Sequence, residues 1–194
     1  SVEIGEDVVF KGIVTAIDGD NVYVQDETAA IYLYNQYSKP VELSVGDLIL
    51  VEGKRTDYSG LKEIDSNATI TIESSGNTLP AIIDVDDFDM LTQEYQSRRV
   101  SISDVTVKSQ SGNNLVLTNG TKDIMIYASN GTPVYTHIQD AIVGQQVVVH
   151  EAFVSWHNGL QLTILDVDKL EFVPLTDQDF VEMVLEQLIE QFHN

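Results

Sequence analysis

The chain repeats itself, and that constrains it more than any other feature. Residues 24–34, Val24-Gln-Asp-Glu-Thr-Ala-Ala-Ile-Tyr-Leu-Tyr34, lie over 117–127, Leu117-Thr-Asn-Gly-Thr-Lys-Asp-Ile-Met-Ile-Tyr127, without a gap. Thr28 meets Thr121, Ile31 meets Ile124 and Tyr34 meets Tyr127, at a constant offset of 93. Further on, Val45-Gly46 and Leu48–Val51 lie over Val143-Gly144 and Gln146–Val149 at an offset of 98, so five extra residues fall in a loop. Tyr58 meets Trp156 at that offset, and Gly60-Leu61 meets Gly159-Leu160 after one more insertion. A period of this length means one supersecondary unit made twice. The organisation expected is a first barrel over 1–75, an acidic linker over 76–94, a second barrel over 95–175 and a C-terminal helix over 176–194.

Each copy reads as β throughout. In the first, 8–17, 21–26, 30–35, 47–56 and 61–72 alternate or run apolar, with Asp18-Gly19-Asp20-Asn21 and Tyr58-Ser59-Gly60 as turn punctuation. Five short strands with a longer connection between the third and fourth (36–46 and 128–144) match the OB-fold, a small five-stranded Greek-key barrel. The fold class expected is therefore all-β, two tandem five-stranded OB-fold-like barrels; a barrel of another connectivity fits the same pattern. The helix usual in that long connection is not evident, and Lys39-Pro40 suggests a loop or single turn. In the linker, Ser74-Ser75-Gly76-Asn77 and Leu79-Pro80 break the chain, and 85–91 reads as a short helix. After Pro174, Thr176-Asp-Gln-Asp179 resembles a capping box. Phe180, Val181, Val184, Leu185, Leu188, Ile189 and Phe192 then form an apolar stripe at helical spacing, suited to docking on the barrel, to a protein partner or to self-association.

Charge limits what such barrels can hold. Ten basic residues face 31 acidic ones, a formal charge of −21, which opposes any nonspecific grip on nucleic acid or anionic lipid. A polyphosphate-binding face has to be local. The first barrel carries 5 basic and 14 acidic side chains, the second 5 and 7. No cysteine is present, which excludes disulfides and thiolate chemistry, and no run of about 18 apolar residues exists to span a membrane. Ser1 followed by Glu3, Glu6 and Asp7 does not read as a signal peptide, so an export signal is expected to have been removed or never to have existed.

Gly12-Ile-Val-Thr-Ala-Ile17, Tyr23-Val-Gln-Asp26, Ala30-Ile-Tyr-Leu-Tyr34 and Val45-Gly46-Asp47, in that order, resemble the OB-fold modules that accompany bacterial secreted nucleases and occur, often in tandem, in surface lipoproteins of gut bacteria. The second copy departs at three places, with Asn119 for Asp26, Glu151 for Gly53 and Ser103 at the Gly12 position. The resemblance implies a noncatalytic binding module for nucleic acid, exported to the periplasm, cell surface or medium.

OB-folds bind on the outer face of strands two and three, closed in by the loops joining strands one to two and four to five. Alternation points Tyr23, Gln25, Tyr32 and Tyr34 outward, a platform for stacking bases or sugars or, equally, for cross-strand packing. The hairpin above it holds Lys54, Arg55, Tyr58 and Lys62, with Glu52, Asp57 and Glu63 close by. The second copy offers Val116, Met125, Tyr127, Trp156 and His157, better suited to protein or sugar than to phosphate. No catalytic motif appears, the four histidines lack ligand spacing, and Asp84, Asp86, Asp87 and Asp89 lack the glycine and distal glutamate of a calcium loop. Neither enzyme activity, cofactor nor metal is expected. Two readings follow: a module holding single-stranded nucleic acid or an oligosaccharide on the first barrel, or a structural or protein-interaction module of a cell surface.

Overall fold

The computed structural model describes residues 2–34, 41–179, 181, 182, 185 and 189. The first sheet is built from β1 (Asp7–Asp18), β2 (Asn21–Gln25), β3 (Ala30–Leu33), β4 (Leu48–Tyr58) and β5 (Leu61–Ile64), with β6 (Thr69–Ser74) added outside β4. Its strand order, β1-β2-β3-β5-β4, closes through β1–β4 pairing, and β3 runs parallel to β5. This is the OB-fold topology. One long strand serves two neighbours: β1 pairs with β4 from Asp7 to Ile13 and with β2 from Ile13 to Asp18. Gly12 lies at the crossover, where an added Cβ would stand 2.6 Å from Val24 Cγ1, and a register shift between Val14 and Ala16 turns the strand toward β2.

The second copy repeats the barrel with β8 (Arg99–Ser111), β9 (Asn114–Thr118), β10 (Asp123–Tyr127), β11 (Gln146–Trp156) and β12 (Leu160–Thr163). β7 (Ile83–Asp84) and β13 (Leu170–Phe172) flank it, β8–β11 closes it, and β10 is parallel to β12. The register corrects one equivalence. Gly12 pairs with Ile49 and Val105 with Val147, so Gly12 corresponds to Val105 rather than Ser103. Asp104, at φ 56°, takes up an irregularity of that strand.

The repeated turn between the second and third strands is architectural. Asp26 Oδ1 accepts from Thr28 N, Thr28 Oγ1 and Ala29 N at 2.6, 2.8 and 2.7 Å. Asn119 Oδ1 accepts from Thr121 N, Thr121 Oγ1 and Lys122 N at 3.0, 2.9 and 2.9 Å. Only an acceptor oxygen is needed, so Asp and Asn serve alike. Where Gly53 becomes Glu151, the new carboxylate binds Arg99 Nε at 2.7 Å; at Gly53 itself an added Cβ would lie 2.6 Å from Ile64 Cγ2.

Three local expectations change. The fifth strand divides, with 65–68 separating β5 from β6. The second copy does have a helix in its long connection, α1 (Pro133–Ile138), with Thr132 capping it and Pro133 at its first turn; Val134 and Ile138 enter the core. The short helix of 85–91 is a single 3-10 turn at Phe88–Met90, and Val85, Phe88 and Leu91 belong to the second barrel's core. The expected C-terminal helix lies largely outside the described residues. Its capping box forms, with Thr176 N donating to Asp179 Oδ2 at 2.8 Å and Asp179 N to Thr176 Oγ1 at 3.2 Å. Val181, Leu185 and Ile189 are exposed. Among the described residues no helix is long and apolar enough to cross a membrane.

Candidate functional site

The outward face of β2 and β3 is where alternation places it, but the second barrel covers its centre. Tyr23 is 3% exposed. Its ring lies 4.3 Å from Phe153 and 4.9 Å from Tyr32, edge-on to the latter, and Ala16 and Leu165 complete the cluster. Burial raises the Tyr23 phenol well above its ordinary pKa and raises Tyr32 as well, with the Asp18 and Glu63 charges adding to both. Tyr23 is thus packing between barrels and is removed from the ligand platform.

Polar contacts frame that junction. Gln96, itself buried, accepts from Lys62 N and donates to Gly60 O, both at 2.8 Å. Asn158 N donates to Ser59 O at 2.7 Å, joining the β4–β5 and β11–β12 hairpin tips. Trp156 packs on Gly60 so closely that an added Cβ would stand 2.5 Å from its Cδ1. Trp156 is therefore a junction residue. Met125 is half-buried and Tyr127 exposed on the outer face of β9 and β10.

The remaining predicted residues separate into two clefts, because neighbours along a strand point to opposite faces. Tyr34 and Tyr58 meet over a cleft of ≈ 640 Å³ with Asp57, Glu63 and Asp65. Arg55 and Lys62 line a larger one of ≈ 800 Å³ together with Lys11 and Arg98. Its floor is apolar, made by Val8, Phe10, Val24 and Ile31. Lys54 stays outside, bound to Asp7 Oδ1 at 2.9 Å.

The larger cleft is the end of the first barrel nearest the β2–β3 turn. In the second barrel that end is filled by Val85, Phe88 and Leu91, with Lys122 holding Asp87 and Asp89 across the matching turn. In the first barrel no described segment fills it in that way. Four of the ten basic residues gather here against Asp7, Asp26 and Glu94. Two of these carboxylates are engaged, Asp7 by Lys54 and Asp26 by its own turn. Burial pushes the Asp26 carboxyl up, but its bonds to Ala29 and Thr28 and the Arg98 charge outweigh burial and hold it below its usual range. Lys11 pairs with Glu73, and Lys62 Nζ reaches Gln93 O at 3.1 Å. The Arg98 guanidinium binds Thr28 O and stacks over Tyr95, while its buried Nε has no partner among the described residues. Lys11 and Arg98 were missed in the sequence because nothing local distinguishes them; β1–β4 pairing brings Lys11 to this end of the barrel, and Arg98 joins it only when the linker docks.

The smaller cleft is acidic. Glu63 is 7% exposed, and its carboxyl is pushed up to about 7 by burial and by Asp57, with Arg55 opposing. A folded pKa above the unfolded 4.5 means that the native state binds the proton more tightly. Stability from this group is therefore present at low pH and lost as pH rises through about 7. Glu63→Gln is expected to melt higher than the parent at pH 8, by on the order of a few degrees, and the gap should close toward pH 5. Melting curves of both proteins at the two pH values check this; a gap that does not change with pH refutes it.

No family model matches the chain. Endonuclease YhcR of Bacillus subtilis is 41% identical to it over 86 residues, which is 40% of this chain and 7% of that protein. The chain therefore spans a small part of that relative. A murine DNA binding protein bound with double-stranded DNA covers 89% of this chain and all of itself, at a TM-score of 0.44 and 13% identity. A replication protein A heterotrimer bound to single-stranded DNA covers 90% of this chain and 51% of its own, at 0.33 and 12%.

Proposed function

We propose that the chain is a noncatalytic, exported binding module whose first barrel holds a short stretch of single-stranded nucleic acid in the basic cleft. The observation that carries this reading is the gathering of Lys11, Arg55, Lys62 and Arg98 around an apolar floor in a protein of charge −21. A nucleotide has both parts of the matching chemistry, a flat base for the floor and a phosphate for the rim. The partial relative supports it, being by name an endonuclease. Export rests on the resemblance to modules of secreted nucleases.

The surrounding acid makes the expected binding weak and salt-sensitive. Four cations suit few phosphates, and each phosphate neutralised on a single strand contributes a slope of about −0.7 in log K against log salt. A labelled single-stranded oligonucleotide titrated at low salt should give a saturable rise in anisotropy that fades at moderate salt. Trp156, the only tryptophan, reports on the junction in the same experiment. No anisotropy change even at low salt would overturn the reading.

A further inference from the structure

The two barrels are built alike but differ in what lies along the outer edge of their first strand. In the second barrel β7 runs parallel to the start of β8, with Ile83 opposite Val100 and Asp84 opposite Ser101, and Val85 N donates to Ser101 O at 2.9 Å. The chain then turns through Phe88–Met90, and Val85, Phe88 and Leu91 enter the core. Its carboxylates stay outside, Asp87 and Asp89 on Lys122 at the β9–β10 turn. One short segment thus supplies an edge strand, an apolar plug and an acidic rim.

The first barrel presents a surface matched to each of these parts. Phe10 and Ile102 are equivalent, facing the equivalent Val51 and Val149, so Val9 corresponds to Ser101. Bonding along β1 alternates: Arg55 N donates to Glu6 O, so Val8 and Phe10 bond to β4 while the N–H and C=O of Val9 point to the opposite edge. β2 joins that edge only from Ile13 onward. Among the described residues no backbone group pairs with Val9 there, and its side chain is 66% exposed. Beside the edge lies the apolar floor of Val8, Phe10, Val24 and Ile31. Ala29 stands where the second copy has Lys122, but a cation still sits at this turn, because Arg98 binds Thr28 O. An unpaired edge beside an apolar cleft is a template for strand addition, in which main-chain bonds give affinity and side-chain pockets give selectivity.

We propose that the basic cleft docks an acidic peptide segment of a partner protein, which adds a strand to the edge at Val9, seats an aromatic and two aliphatic side chains on the apolar floor and places its carboxylates on the basic rim. The second barrel shows the matching pattern in Ile83-Asp-Val-Asp-Asp-Phe-Asp-Met-Leu91, four carboxylates interleaved with apolar residues. Lys11, Arg55, Lys62 and Arg98 complement that charge, which sets the register of docking as well as its strength. Such a segment fills the cleft assigned above to nucleic acid and so excludes an oligonucleotide. That competition rests on the nucleic-acid reading; the docking itself does not.

The probe is a fluorescein-labelled synthetic peptide with the sequence of residues 81–92, titrated with the full chain at low salt. Saturable anisotropy is expected, weakened about tenfold or more by Phe88→Ala in the peptide and about fivefold by N-methylation of its Val85 amide. A scrambled peptide of the same composition should not saturate. Amide-resolved NMR should show shifts at Val9 and Ala29. In the protein, Val9→Pro removes the edge donor and no bond to β4, and should weaken the peptide about tenfold while oligonucleotide binding stays as in the parent. The peptide-side changes need no altered protein, so the test does not depend on how that variant folds. Equal affinity for the scrambled peptide, or shifts at Ser101 and Lys122 without shifts at Val9 and Ala29, would overturn the proposal. A concentration-dependent dimer in light scattering would make a second copy the occupant and overturn it too. Peptide binding without oligonucleotide binding would sustain the docking and sink the nucleic-acid reading; oligonucleotide binding without peptide binding would do the reverse.

Discussion

Phe153→Ala is expected to cost about 3–5 kcal/mol and to split thermal unfolding into two transitions. The ring is 3% exposed and lies against Tyr23, Ala16 and Leu165, so it is the central apolar contact between the barrels. Each barrel has its own closed sheet and its own core, around Leu33, Ile49 and Ile64 in one and Leu115, Ile126 and Leu162 in the other. Those cores survive the substitution. What is lost is the contact that makes unfolding of one barrel expose apolar surface on its neighbour. The flanking bonds of Gln96 and Asn158 cannot replace it, because a hydrogen bond that is exchanged for one with water on unfolding contributes only about 0.5–1.5 kcal/mol net. Calorimetry of the parent should show one transition and of the variant two. A single unshifted transition in Phe153→Ala would show that this ring does not couple the barrels.

Joint reversal of Lys11 and Lys62 to glutamate should weaken oligonucleotide binding on the order of 100-fold at low salt and flatten the salt dependence by about 1.4 in slope. Both side chains line the basic cleft, and neither supports the barrel core: Lys11 is an exposed partner of Glu73, and Lys62 reaches a linker carbonyl. Net charge alone is a confounder in a chain already at −21. The matched control is Lys108→Glu with Lys169→Glu, which changes the total charge equally on the second barrel, away from the cleft. Anisotropy titrations of the two double variants separate the cases. Equal losses in both would mean that the field of the whole molecule, rather than this cleft, governs binding.

Period-two alternation and the repeat are local in the chain, and they carry the fold. Val22, Val24, Ile31 and Leu33 point inward and Tyr23, Tyr32 and Tyr34 outward because a strand has only two faces, and a second copy that repeats the pattern repeats the barrel. The Thr176–Asp179 box was legible for the same reason, its donors and acceptors lying three residues apart. α1 was hidden because six residues give too short a stretch for helical periodicity, although Thr132-Pro133 is a proper start signal. The two readings of the outward tyrosines, ligand platform and packing surface, were equivalent in the sequence. Tertiary structure decided between them residue by residue. Tyr23 met Phe153 from 130 positions away and was buried, whereas Tyr34 and Tyr58 stayed in water. The same docking brought Arg98 and the linker beside Arg55 and Lys62, and left Glu63 facing an acidic cleft. A chain can state which face of a strand is polar or apolar; which surface comes to cover that face is a contact between distant segments, and only the folded molecule supplies it.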